Sequence, residues 1–256
     1  MRVITSTNNP QVKAWYKLKS KKGRMSQKKY LLDGWHLVKE AIRTHEPIET
    51  IMVIPDFKHL QEITVPEDTD MVEITDNVVK HLGDTMHPQG ILAVVKIPDE
   101  QVIDPKDATG AWLFMDNVQD PGNIGTMVRT ADAAGFNGVV LGEGTADIYN
   151  SKIVRSMQGS QFHLKMVTAP LEPWIKEFKA QKRPVFGTEL NVAARPYDQV
   201  GKHTDFALIM GNEGNGMRHD LLKQTSLNLY IPIIGKAESL NVAIAAGILM
   251  FQLKRN

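Results

Sequence analysis

Cysteine is absent from the 256-residue chain, which excludes disulfides, thiolate zinc sites, iron–sulfur clusters and cysteine nucleophiles. The eight histidines are scattered, with no HExxH or comparable spacing, so no structural metal is expected. No apolar run approaches the roughly 20 residues of a membrane span, and the opening MRVITSTNNP lacks the apolar core of a secretory signal. A globular, cytoplasmic protein with no membrane partner is the expectation. Repeats and low-complexity tracts are also missing. The last absence is of one charge sign, since no acidic residue precedes Asp33. Lys13, Lys17, Lys19, Lys21, Lys22, Arg24, Lys28 and Lys29 fill that stretch, an asymmetry hidden by a net charge of only +1. Such a block suits a polyanion; a solvated, partly disordered leader is the alternative. Trp15 and Tyr16 within it favour RNA, because aromatic faces among cations stack bases.

A hydrophobic content of 42% is enough to fill a core. From 30 to 98, short β-rich runs such as IETIMVI (48–54) and GILAVVKI (90–97) alternate with helical patterns such as WHLVKEAIR (35–43), which predicts a small α/β domain over 1–98. The polar, proline-containing PDEQVIDPKDATG places a linker at 99–110. Beyond it, over 111–256, the units lengthen. WLFM (112–115), VVL (139–141), LKMV (164–167), PVFGT (184–188), FALIM (206–210) and LNLYIPI (227–233) read as strands, with helices at 123–135, near 150–158, 171–180 and 218–224, and at 239–253. Strand, crossover helix and strand imply a parallel sheet.

Three loops carry candidate chemistry. In NVQDPGNIGTMVRTADAAGF (117–136), Asn123 is placed to cap a helix at the carboxyl end of a strand, and Arg129 falls off its apolar face. A surface pair of Arg129 with Asp132 at i+3 is the alternative. GNEGNGM (211–217) has the order G-x-x-G-x-G, which is neither a dinucleotide fingerprint nor a phosphate loop. Its glycines allow backbone groups to approach a flat ligand such as an adenine or a ribose, and Glu213 would tolerate a cationic ligand; an ordinary glycine turn is the alternative. In IPIIGKAESLNVAIAAG (231–247), Ser239 is predicted to cap the last helix, and Asn241 is a poor residue inside a helix unless its amide has a task.

Together, DPGNIGTMVRTADAAGF, MGNEGNGM and IPIIGKAESLNVAIAAG, in this order, resemble the three signature motifs of the SpoU family of RNA ribose methyltransferases, within the SPOUT class, over 111–256. YLLDGWHLVKEAI and HPQGILAVV look like the family's auxiliary RNA-binding domain, similar to certain ribosomal proteins, with Asp33 where glutamate is usual. The resemblance implies a deep trefoil knot at the carboxyl end, S-adenosylmethionine as cofactor and a homodimer that completes each site. It implies cofactor contacts at Thr188, Gly211, Asn212, Gly216, Ile231, Ile233, Ser239 and Leu240, and a catalytic set of Arg129, Asn123, Glu213, Ser239 and Asn241.

The implied reaction is methyl transfer to a ribose 2'-hydroxyl of structured RNA, ribosomal rather than transfer RNA because roughly 100 residues go to an auxiliary recognition domain. A guanidinium has a pKa above about 12, so Arg129 is expected to clamp a phosphate and align the hydroxyl instead of removing its proton. The competing readings are a transfer-RNA ribose methyltransferase, a relative that methylates a base nitrogen, and an RNA-binding protein of this fold without activity.

Overall fold

The computed structural model describes residues 1–98, 103–189 and 193–255. The chain forms two compact units, Met1–Asp99 with Asp147–Phe162, and Glu100–Ala146 with His163–Asn256. Among the described residues, no helix is long and apolar enough to cross a membrane.

The first unit comprises β1 (Arg2–Ile4), α1 (Pro10–Lys17), α2 (Lys21–Gln27), β2 (Lys29–Asp33), α3 (Trp35–Arg43), β3 (Ile48–Val53), β4 (Asp70–Ile74), α4 (Asp76–Leu82) and β5 (Ile91–Lys96). Its sheet runs β1-β4-β3-β5-β2, with β1 and β3 parallel to β4, and β5 antiparallel to β2 and β3. The basic stretch is not a disordered leader. Asn9 accepts from the Gln11 amide to cap α1, with Pro10 in its first turn, and Ser20 accepts from the Gly23 amide to cap α2. Val12, Trp15 and Leu18 share a face that enters the core with Ile74, Val78 and Leu82. Trp15 is therefore a core side chain with no ring to offer a base, a role that helical spacing takes from it. Tyr16 stays exposed and stacks on His81, with ring centroids 4.4 Å apart. Arg24 also leaves the basic face: it is 3% exposed, donates to the Leu18 and Lys19 carbonyls and pairs with Asp147 at 2.6 Å.

The second unit opens with β6 (Ala111–Met115), α5 (Pro121–Ala133) and β7 (Gly138–Leu141). Next comes α6 (Ser151–Met157), which belongs to the excursion that packs with the first unit. There follow β8 (Lys165–Thr168), α7 (Leu171–Ala180), β9 (Val185–Thr188), β10 (Arg195–Pro196), β11 (Phe206–Met210), α8 (His219–Leu222), β12 (Leu227–Tyr230) and α9 (Val242–Leu253). The sheet is parallel throughout, in the order β10-β12-β9-β11-β6-β7-β8. Every residue of β6, β7 and β11 is buried, as continuous apolar runs in a sheet covered on both faces require. Trp112, Phe114, Trp174 and Phe178 pack together between the sheet and α7.

Most predicted boundaries move by a residue or two, and those beside the loops have physical reasons. The strand expected over 227–233 stops at Tyr230, because Pro232 has no amide for the ladder; Ile231 and Ile233 lie in the following loop. Helix α5 starts at Pro121, which suits a first turn where amide hydrogens go unused, and α9 starts only at Val242. Residues 99–102 of the expected linker lie outside the described residues. Its remainder packs on the second unit: Ala108 is fully buried, the Gly110 amide donates to Asp205 at 2.7 Å, and the Arg183 guanidinium donates to the Ala108 carbonyl.

Candidate active site

Strands β12, β9 and β11 are neighbours and run parallel, so Tyr230, Thr188 and Met210 bring their carboxyl ends side by side. That edge is where open α/β sheets receive ligands. The turn after β11 is tightly built. Asn212 and Gly216 exchange backbone hydrogen bonds, the Asn212 side-chain amide donates to the Asn117 carbonyl at 2.9 Å, and its Oδ1 accepts from the Gly214 and Asn215 amides. A Cβ on Gly211 would lie 2.3 Å from backbone atoms of Gly216 and Met217, so only glycine closes this turn. Gly216 sits at φ +67, a region that side chains avoid.

The three loops meet through one chain of hydrogen bonds. Glu213 Oε1 accepts from the Asp120 amide at 3.0 Å and from Asn123 Nδ2 at 3.1 Å, and Oε2 accepts from the Gln119 amide at 3.3 Å. Asn123 Oδ1 accepts from Asn241 Nδ2 at 2.9 Å. Asn241 Oδ1 then accepts from the amides of Ala243 and Ile244. The partners at each end fix which way both amides face. Partial burial pushes the Glu213 carboxyl up, but the donors on Asn123, Asp120 and Gln119 and its own amide outweigh it and hold the group below the usual glutamate value. It is a weak base and an anchor for the loop that leads into α5, the helix that carries Arg129. It faces those donors within the protein.

Two capping expectations change. Asp120, not Asn123, caps α5 by accepting from the Asn123 amide at 2.8 Å, which leaves the Asn123 side chain free for its two inter-loop bonds. Asn241, not Ser239, caps α9. It stands outside the helix interior and takes the cap position that asparagine favours. Ser239 and Leu240 are exposed in the preceding loop with Ile233. Thr188 is engaged: its amide points at Met217 Sδ at 3.0 Å and its hydroxyl donates to the Ile209 carbonyl at 3.1 Å.

The Arg129 side chain is exposed on α5 and makes no hydrogen bond or ion pair among the described residues. The expected alternative pairing with Asp132 does not form. One buried group leaves almost no trace in the sequence. Asp116, 1% exposed, accepts from the Arg218 amide at 2.6 Å and from its Nε at 3.0 Å, closing the far end of the 211–217 turn onto β6. A carboxylate placed directly after the buried run WLFM is its only signal.

The site fits a nucleoside-type cofactor. Gly211 is buried, yet its amide and carbonyl have no hydrogen-bond partner among the described residues, and the backbone groups of Ile231 and Leu240 have none either. Orphaned main-chain groups in buried places are rare, and Gly211 holds such a pair at the carboxyl end of β11; Ile231 follows the end of β12, one strand away, and Leu240 is exposed in the loop before α9 with Ile233, so polar main-chain groups and apolar side chains are both on offer to a flat ring.

The SpoU rRNA Methylase family model matches residues 111–251, and a model of the MRM3-like substrate binding domain matches 9–93. The chain is 42% identical over 258 residues to the 23S rRNA (guanosine(2553)-2'-O)-methyltransferase of Bacillus subtilis strain 168, covering 99% of this chain and 100% of that protein. It is 30% identical to an uncharacterized tRNA/rRNA methyltransferase of Synechocystis, over 98% of this chain and 93% of the relative. In structure it is similar to the AdoMet-bound rRNA methyltransferase of Sinorhizobium meliloti, with a TM-score of 0.87 at 30% identity, over 98% of this chain and 96% of that one.

Proposed function

The chain belongs to the SpoU rRNA methylase family, and from that premise we propose that it methylates a ribose 2'-hydroxyl of ribosomal RNA in the cytoplasm, as a homodimer. It is an S-adenosylmethionine-dependent RNA methyltransferase. The observation that carries the site assignment is the convergence of three loops on the Glu213–Asn123–Asn241 chain, beside a buried Gly211 whose backbone groups have no protein partner among the described residues.

Residues 111–256 hold the chemistry. Gly211, Ile231 and Leu240 would meet the cofactor through main-chain groups, with Ile233 and Leu240 against its ring and Asn212, Gly216, Thr188 and Ser239 shaping the walls. When bound, S-adenosylmethionine supplies an electrophilic methyl whose bond to sulfur breaks as the bond to the ribose oxygen forms. Arg129 clamps the phosphate beside the target ribose and aligns the hydroxyl, whose proton leaves to phosphate or water. Glu213, Asn123 and Asn241 hold the loops in register. The first unit supplies the RNA-binding face through Lys13, Lys17, Lys21, Lys22 and Lys28, which are exposed.

Helix α9 supports the dimer. It carries no charged residue, and Ile244 and Phe251 stand 56% and 57% exposed, an apolar face that a second copy would cover. We infer in addition a knotted carboxyl end, with α9 returning against α5 and β11.

Incubation of the protein with methyl-labelled S-adenosylmethionine and ribosomal RNA, followed by nucleoside digestion and mass analysis, is expected to yield a 2'-O-methylated nucleoside. A methylated base would overturn the ribose assignment, and calorimetry showing no cofactor binding would leave an RNA-binding protein. Arg129→Ala should lower turnover by about 100-fold or more with cofactor binding kept. Arg129→Lys with turnover restored at raised pH would count against a need for the guanidinium fork.

A further inference from the structure

Asp132 stands three residues after Arg129 on α5, the spacing at which opposite charges on a helix meet. It is turned elsewhere. Its Oδ2 lies 2.8 Å from Nδ1 of His163, in the segment leading into β8, with side chains 27% and 32% exposed. A carboxylate only accepts, so the proton of this bond sits on Nδ1. Arg129, with an acid of its own helix in reach, is left without a side-chain partner among the described residues.

We propose that His163 is a positioning residue: it draws Asp132 aside and so keeps the Arg129 guanidinium open for a substrate phosphate. The proposal rests on the reading of Arg129 as a phosphate clamp. Without the imidazole, Asp132 swings to Arg129, fills one side of its planar fork and sets a negative charge where the phosphate must come. Both effects weaken RNA engagement. Neither reaches the cofactor turn.

His163→Ala is expected to lower kcat/KM for RNA about two- to fivefold, the scale of a competing surface ion pair, through KM for RNA, with cofactor Kd unchanged. His163→Asn, whose amide nitrogen can stand where Nδ1 stood, should recover most of that deficit. His163→Ala combined with Asp132→Asn should recover it too, because the competing charge is gone. Wild-type kinetics in His163→Ala would overturn the proposal. So would a deficit that persists in the double variant, which would mark His163 as packing only. Arg129→Ala separates the clamp from its positioning: lost turnover there with an unaffected His163→Ala sinks this inference alone, whereas full turnover in Arg129→Ala removes the clamp and this inference with it.

Discussion

The two units treat polar groups in opposite ways. In the second, the polar side chains of three loops are bound to one another, so Glu213, Asn123, Asn212 and Asn241 are each held from two or more directions. In the first, the side chains of Lys13, Lys17, Lys21 and Lys22 stand in solvent with no partner among the described residues. Under the proposed function the difference follows from the size of what each would hold. A small nucleoside offers few contacts, and its affinity depends on a cradle already ordered before it arrives. A long polyanion offers many phosphates, and solvated flexible cations gain from counterion release without fixed geometry.

The largest expected effect breaks the ordered side. Gly211→Ala places a Cβ 2.3 Å from the backbone of Gly216 and Met217, so the turn must open, and cofactor affinity should fall about tenfold or more by calorimetry, a drop of at least about 1.4 kcal/mol. RNA affinity should hold. An unchanged cofactor Kd would move the cradle elsewhere. Next, Lys17→Ala, Lys21→Ala and Lys22→Ala together should weaken RNA binding about tenfold and reduce the slope of log affinity against log salt by about one for each phosphate left unneutralised. Cofactor Kd should stay put. An unaltered salt slope would take these lysines out of the interface.

The smallest effect sharpens the contrast through pH. The Glu213 carboxyl titrates below its usual value in the folded chain, so the stability gained from its ionised form is fully present above the unfolded-chain pKa and fades as pH falls through the lower folded one. The carboxylate therefore stays charged through mild acidification; cofactor affinity should hold there and decline only as pH falls below the usual glutamate range, a loss that Glu213→Gln, starting from a weaker value, should not show. Equal acid profiles for the two proteins would show that the carboxylate does not order the loops.

Much of the second unit is legible in its residues because buried strands write themselves as unbroken apolar runs: WLFM and FALIM lie within β6 and β11. The loops are recognisable by their composition, and their meeting comes from family resemblance, since contacts between 123, 213 and 241 leave no local pattern. Which residue caps each helix is hidden for one reason. Asp120 and Asn123, like Ser239 and Asn241, are all competent caps, and the choice depends on which side chain is needed by a distant loop. The first unit conceals its order because eight cations mask the Val12, Trp15 and Leu18 face. The excursion of Asp147–Phe162 to the first unit follows from packing that no spacing within the segment records.

The run of amides from Glu213 to the first turn of α9 has a direction, since each asparagine gives through nitrogen and receives through oxygen. Hydrolysis of the Asn123 amide on ageing, with water consumed and ammonia released, would leave an acceptor where a donor stood and set one carboxylate against another. Such a chain would be almost indistinguishable by mass and intact in its core, yet its loops would repel where they had joined.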